Sequence, residues 1–183
     1  FLSRSFLEMA REAASLTEGA GEVLEVAAGT GLITAAIADG VGHLVATDAS
    51  PEMLALLQER IASSENVRVQ PADALSLDFP DETFDAVVIG NLLHLLPEPA
   101  QALQEARRVL RPGGRLLTPT FCHGQGLLAQ LISRTMGLIG FPIVSRFKDR
   151  ELDALLEGEG FRVEEARWFP GLLPLRFVAA RAV

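Results

Sequence analysis

Val23-Leu24-Glu25-Val26-Ala27-Ala28-Gly29-Thr30-Gly31 is a short apolar run that closes in a glycine turn and leads straight into a helical pattern. The run suits a strand buried on both faces of a parallel sheet. Gly29 and Gly31 let the chain turn sharply and bring bare backbone against a ligand. The helix that follows aims its first N–H groups at whatever lies in the turn. Such a unit builds a nucleotide-type site at the carboxyl end of a first strand. A glycine turn is also an ordinary connector, so its meaning depends on what comes next.

About 17 residues on, His43-Leu44-Val45-Ala46-Thr47-Asp48 gives a second buried-strand pattern that ends in an acid. A carboxylate at that tip can accept hydrogen bonds from both hydroxyls of a ribose. Val67-Arg68-Val69-Gln70-Pro71-Ala72-Asp73-Ala74 reads as a third strand, and Asp73 lies just past its end, where it can accept from an adenine amino group. Glu25, Gly29, Gly31, Asp48 and Asp73 thus fall after three successive strands.

With these residues in place, the sequence resembles the class I S-adenosylmethionine-dependent methyltransferases, in particular the small-molecule enzymes of the quinone-biosynthesis type. The resemblance is carried by residues 25–31, by Asp48-Ala49-Ser50-Pro51-Glu52-Met53, by Asp73-Ala74, by Phe84-Asp85-Ala86-Val87-Val88, and by Leu110-Arg111-Pro112-Gly113-Gly114-Arg115-Leu116. It covers residues 20–120 well and the last third loosely. It implies a single-domain α/β Rossmann-like fold, a doubly wound sheet that is mostly parallel with an antiparallel edge pair. It also implies that S-adenosylmethionine is held by Glu25, Ala27, Ala28, Gly29, Thr30, Gly31, Asp48, Ala49, Met53, Asp73, Ala74, Asn91 and Leu92, with S-adenosylhomocysteine as product. The family often has glycine where Ala27 stands; alanine is small enough to be accommodated there.

Composition bounds the reading. A chain of 183 residues with 49 % hydrophobic residues fits one ordinary domain with a real core. The formal net charge of −8, without basic clusters, argues against nucleic acid as partner. No apolar run approaches the roughly 18 residues a membrane span needs, and peripheral membrane contact is not expected. Cys122 is the single cysteine, so no intrachain disulfide or cysteine-based metal cluster is expected, and no metal-ligand spacing is seen. With no signal-peptide pattern, a cytoplasmic location is expected. The first residue is Phe1 rather than methionine, so a preceding segment is also expected.

Residues 1–20 read as an amphipathic helix with Leu2, Phe6, Met9, Ala13 and Leu16 on its inner stripe, packed on the sheet edge. The resemblance adds that this helix covers the cofactor. Residues 21–121 form the cofactor-binding core. Within it, residues 32–38 give a buried crossover helix ended by Asp39-Gly40. Ser50 and Pro51 are the N-cap and first residue of a second helix, with Met53, Leu54, Leu57 and Ile61 inward. Residues 84–89 give strand four, residues 98–110 a helix, and residues 115–121 strand five, with Pro112-Gly113-Gly114 stopping the helix. Residues 122–147 are a candidate substrate cap, with a helix over 127–139. Residues 148–183 hold a helix at 149–157 and strands at 161–168 and 175–183.

A strand, a glycine turn and a later acid also make the NAD fingerprint. Here Thr34 stands where that pattern places its third glycine. Methyl transfer from a sulfonium is an in-line displacement that asks the protein mainly for proximity and orientation, worth ~7–11 kcal/mol. For a neutral acceptor a general base is a further option, and whether one is used has no sequence signal. His43 begins strand two at the far end of the sheet. His94 and His123 follow strands four and five on the ligand side and are the candidate bases. Two readings stand: a methyltransferase acting on a small, fairly apolar molecule, and a methyltransferase-like domain that binds cofactor or partner without catalysis. Oligomeric state has no sequence signal.

Overall fold

A computed structural model describes residues 2–121, 147, 149–169 and 175–183. The candidate cap, the helix expected at 127–139, Cys122 and His123 lie outside them. Seven strands form one sheet in the order β3-β2-β1-β4-β5-β7-β6. They are β1 Glu22–Val26, β2 His43–Asp48, β3 Val67–Pro71, β4 Phe84–Ile89, β5 Leu110–Phe121, β6 Phe161–Phe169 and β7 Leu175–Ala182. Strands β1 to β5 pair in parallel, and β7 enters antiparallel between β5 and β6. The order reverses direction between β1 and β4, which places the ligand crevice above the carboxyl ends of those strands.

Helices cover both faces. The helix α1 (Leu2–Thr17) packs beside α2 (Leu32–Ile37). Met9, Ala10 and Ala13 of α1 and Ile33 and Ile37 of α2 bury against Val23, Leu44, Val88 and Phe177. The same face carries α3 (Pro51–Arg60), whose Leu57 packs with Ala28 and Ala46. Two further helices, α4 (Pro99–Val109) and α5 (Asp149–Gly158), lie on the other face, where Leu103, Ala106, Leu152 and Leu156 meet Leu24, Val87, Leu116 and Val178. The apolar strand runs expected for a two-sided parallel sheet are thus covered on both sides.

Three boundaries differ from the sequence reading. First, α1 lies on a sheet face rather than at an edge, and its amino-terminal half reaches the carboxyl end of β5, where Phe6 meets Phe121 edge-on at 5.8 Å. Second, β3 ends at Pro71, because residues 72–76 turn back with Ser76 N–H donating to the Asp73 carbonyl. Third, Pro112-Gly113-Gly114 lies inside β5 rather than before it. The pairing register with β4 jumps from Phe84↔Leu110 to Ala86↔Arg115, and Gly113 takes φ 75° inside that bulge.

At the amino edge of the sheet, Asp85 ties β4 to the entry of β1 by accepting N–H bonds from Gly21 (3.0 Å) and Glu22 (2.8 Å) and pairing with Arg111. His43 lies at this same edge, exposed, with Nδ1 3.1 Å from Glu22 Oε1. It is remote from the ligand side, as expected.

Candidate cofactor site

The turn after β1 is held open by backbone geometry. Gly31 adopts φ 77°, and a Cβ there would meet Leu57 Cδ1 at 2.4 Å, so any other residue would strain the backbone and push Leu57 out of its packed position. Gly29 also has positive φ, 56°, yet a Cβ there would meet nothing within 4 Å. The space above Gly29 is therefore free for a ligand, whereas the space beside Gly31 is filled by core. Ala27 takes φ 57°, a left-handed conformation that L-residues avoid. This corrects the expectation that alanine merely has to be small at that position: glycine suits the site for its backbone freedom.

Two acids flank the turn. Asp48, at the tip of β2, accepts the Gly29 N–H on Oδ2 (2.8 Å) and the Ser50 N–H on Oδ1 (2.9 Å). Each oxygen keeps a further lone pair, so the carboxylate is positioned and can still accept two donors from a ligand. Glu25 is 1 % exposed and points to α2, where Thr34 Oγ1 donates to Oε2 at 2.6 Å. Loss of water pushes its pKa up to about 8; the Thr34 bond works the other way, and the nearby Asp48 charge raises it further. Thr47 Oγ1 donates to the Glu25 carbonyl at 2.9 Å and fixes the strand end.

The remaining candidates are distributed around this pair. Asp73 is exposed, and its Oδ1 accepts the Leu75 N–H at 2.9 Å. The turn that carries it is tied to β2 by the Ala72 N–H on the Asp48 carbonyl (3.2 Å). Ser50 caps α3 by accepting the Met53 N–H, which leaves Met53 half-buried and Ala49 exposed. Ala74 and Leu92 are half-buried against the core of the α4 face. Ala28 turns its side chain into the core with Leu57, so only its backbone can face a ligand. Thr30 is exposed and borders a shallow cleft of about 400 Å³ with Leu56, Glu59 and Arg60, on the outer side of the turn.

Asn91 closes the crevice from β4. It adopts φ 53°, its N–H donates to the Pro119 carbonyl at 2.7 Å, and its buried Oδ1 has no hydrogen-bond partner among the described residues. A buried acceptor in that state is costly unless a ligand donor completes it. His94 sits three residues on, in a short 3-10 helix, Leu93–Leu95, 4 % exposed, with its ring edge-on to Phe121 at 5.4 Å.

Sequence reasoning missed the second layer. Thr34, Thr47 and Ser50 orient the acids, and Phe6 and Phe121 flank His94. A signal for Thr34 was present: it is a polar residue in an otherwise apolar crossover helix. Phe6 and Phe121 are 115 positions apart, so no local pattern joins them. Among the described residues, no group of three His, Cys, Asp or Glu side chains is placed to hold a metal ion. None of their helices is long and apolar enough to cross a membrane.

The sheet order and the cradle at its switch point define the class: a Rossmann-like domain of the nucleoside-cofactor type. The methyltransferase domain family matches residues 24–118, and the chain belongs to that family. It is 45 % identical over 103 residues to the demethylmenaquinone methyltransferase of Clavibacter sepedonicus, covering 56 % of this chain and 42 % of that protein. Over 126 residues it is 39 % identical to the phosphatidylethanolamine N-methyltransferase of Cereibacter sphaeroides, covering 65 % and 60 %. The chain therefore spans about half the length of the curated relatives it matches. A SAM-dependent methyltransferase from Aquifex aeolicus shares the fold, with TM-score 0.76 and 24 % identity over 97 % of this chain and 89 % of that one.

Proposed function

We propose that this chain transfers a methyl group from S-adenosylmethionine to a small, largely apolar acceptor. One observation carries the proposal: the cradle is built of acceptors and acids. Asp48 borders the open glycine turn, Glu25 is enclosed beside it, and Asp73 and the buried Asn91 Oδ1, without a partner among the described residues, lie past the carboxyl ends of β3 and β4. None of the three acids is ion-paired with a lysine or arginine among the described residues. A phosphate-free, positively charged nucleoside fits such a site. It offers two ribose hydroxyls to the two open lone pairs of Asp48, an amino group to Asp73, and an ammonium to an acceptor such as Asn91 Oδ1. A pyrophosphate of NAD at the turn would meet the Asp48 carboxylate, which already takes the Gly29 N–H. Thr34, at the third-glycine position of the NAD fingerprint, is occupied in holding Glu25.

When bound, the donor supplies a methyl group already activated by its sulfonium. The chain then supplies position. Asp48 and Asp73 fix the nucleoside end, Gly29 gives it room, and Asn91 fixes the amino-acid end at the carboxyl tip of β4. Holding donor and acceptor in line is worth on the order of 7–11 kcal/mol. In this reading His94, buried at the same tip, serves as the base that takes the acceptor's proton. His123 lies outside the described residues and stays a candidate base by its sequence position after strand five.

Two relatives suggest the acceptor class. One relative acts on demethylmenaquinone and the other on phosphatidylethanolamine, a quinone and a lipid, both largely apolar. The Phe6–Phe121–His94 aromatic group near the crevice supports an apolar acceptor here.

Calorimetric titration with S-adenosylhomocysteine, with NAD in parallel and Asp48→Ala as control, tests the cofactor. Micromolar binding of the first, none of the second, and loss in the variant are expected. Binding of NAD alone would overturn the proposal. Transfer of labelled methyl to a hydroquinone panel, reduced in turnover but not in donor affinity by His94→Gln, tests the acceptor and the base.

A further inference from the structure

Glu25 belongs to the acid cradle, but no part of the methyl transfer described above depends on its protonation, and its surroundings are unusual. It is enclosed at the end of β1, and among the described residues its side-chain hydrogen-bond partner is the Thr34 hydroxyl of α2. From β2, Asp48 is the charged group that acts on it, while Thr47 donates to its backbone carbonyl. From β4, its register neighbour is Val88. No lysine or arginine among the described residues pairs with it. Burial and a like-charged neighbour both favour the neutral acid, and its pKa of about 8 accords with that arrangement.

The two acids bracket one structural feature. Asp48 holds Gly29, and Thr34, which holds Glu25, stands three residues beyond Gly31 in α2. A ligand seated on the Gly29–Gly31 turn therefore lies in the field of both. S-adenosylmethionine carries a sulfonium and an ammonium against one carboxylate, net +1; S-adenosylhomocysteine has lost the sulfonium charge and is net neutral.

We infer that Glu25 holds a proton in the empty site and releases it to solvent when the cationic donor binds, so that it discriminates methyl donor from spent product by charge. This inference rests on the reading of the site as a donor site. The discrimination has a direction. An ionised Glu25 favours the cation, so the ratio of donor to product affinity rises as pH increases toward about 8 and levels off above it. A one-proton linkage changes that ratio by at most ~10-fold per pH unit.

The experiment is calorimetry of both ligands at pH 6 to 9, in buffers of different ionisation enthalpy, on wild type and Glu25→Gln. In wild type, up to one proton is released per donor bound near pH 7, less is released with product, and the affinity ratio climbs with pH. In Glu25→Gln the difference in proton release disappears and the ratio is flat. The carboxyl carbon resonance of Glu25 in the empty wild-type protein provides a second readout independent of the variant's folding, and it titrates well above the ordinary carboxylate range. If both ligands bind but proton release is equal for the two or survives in Glu25→Gln, the inference is overturned while the donor site stands. Titration of the Glu25 resonance in the ordinary range overturns it equally. If neither ligand binds wild type, the donor reading itself falls, and this inference with it.

Discussion

Adding one methyl group at Gly31 and one at Gly29 separates folding from binding. At Gly31 the new Cβ lies 2.4 Å from Leu57 Cδ1, and Leu57 is fully buried against Ala28, Ala46 and Ile61. The residue also has φ 77°, which costs an L-residue roughly 1–2 kcal/mol. Overpacking a closed core adds roughly 1–3 kcal/mol. Gly31→Ala is therefore expected to lose about 2–5 kcal/mol. At Gly29 only the backbone cost applies, about 1–2 kcal/mol, because nothing lies within 4 Å of the added carbon. That carbon occupies the space left for the cofactor, so Gly29→Ala loses S-adenosylhomocysteine affinity although it folds well. Urea denaturation of the empty protein gives the first quantity and calorimetry the second. A third variant isolates the clash. Leu57→Ala alone costs roughly 2–5 kcal/mol, but combined with Gly31→Ala it opens room for the new methyl group. The double variant is then more stable than additivity predicts, by about 1–3 kcal/mol. Equal destabilisation by the two glycine variants, or strict additivity in the cycle, would refute the assignment of Gly31 to packing and Gly29 to the ligand.

Ala27→Gly relieves the left-handed strain at φ 57° and is expected to raise stability by up to about 1 kcal/mol in the same denaturation assay, since glycine's own flexibility offsets part of the gain. Glu25 makes the empty protein less stable as pH rises: its folded pKa of about 8 lies above the ordinary 4.5, so the folded state binds the extra proton between those values. Its contribution falls by ~1.4 kcal/mol per pH unit across that window, and stability measured against pH becomes flatter there in Glu25→Gln. Asp85 has the opposite sign. Burial raises its pKa, but the Glu22 and Gly21 N–H groups and Arg111 outweigh that and hold it below the ordinary range. Its contribution is present above the ordinary value of 3.8 and is lost as pH falls through the lower folded value. Asp85→Ala is expected to cost roughly 1–3 kcal/mol while S-adenosylhomocysteine affinity stays unchanged, because Asp85 lies at the far edge of the sheet.

The sequence by itself determined the elements and their order. Runs such as residues 86–89 are apolar throughout because both faces of the sheet are covered, and Ser50-Pro51 marks a helix start because capping is local chemistry. The glycine turn and the acids at strand tips were legible for the same reason: each sits at a fixed offset from its own strand. What required the tertiary structure was every property set by a distant neighbour. Pro112-Gly113-Gly114 became part of β5 because pairing with β4 and β7 absorbs a bulge that no local signal encodes. The placement of α1 on a face, with Phe6 against Phe121, depends on which surface the finished sheet leaves uncovered. An acid at position 25 was visible in the sequence. That it is enclosed, held by Thr34 and set beside Asp48 was not, because burial and charge coupling are properties of assembled space rather than of spacing along the chain.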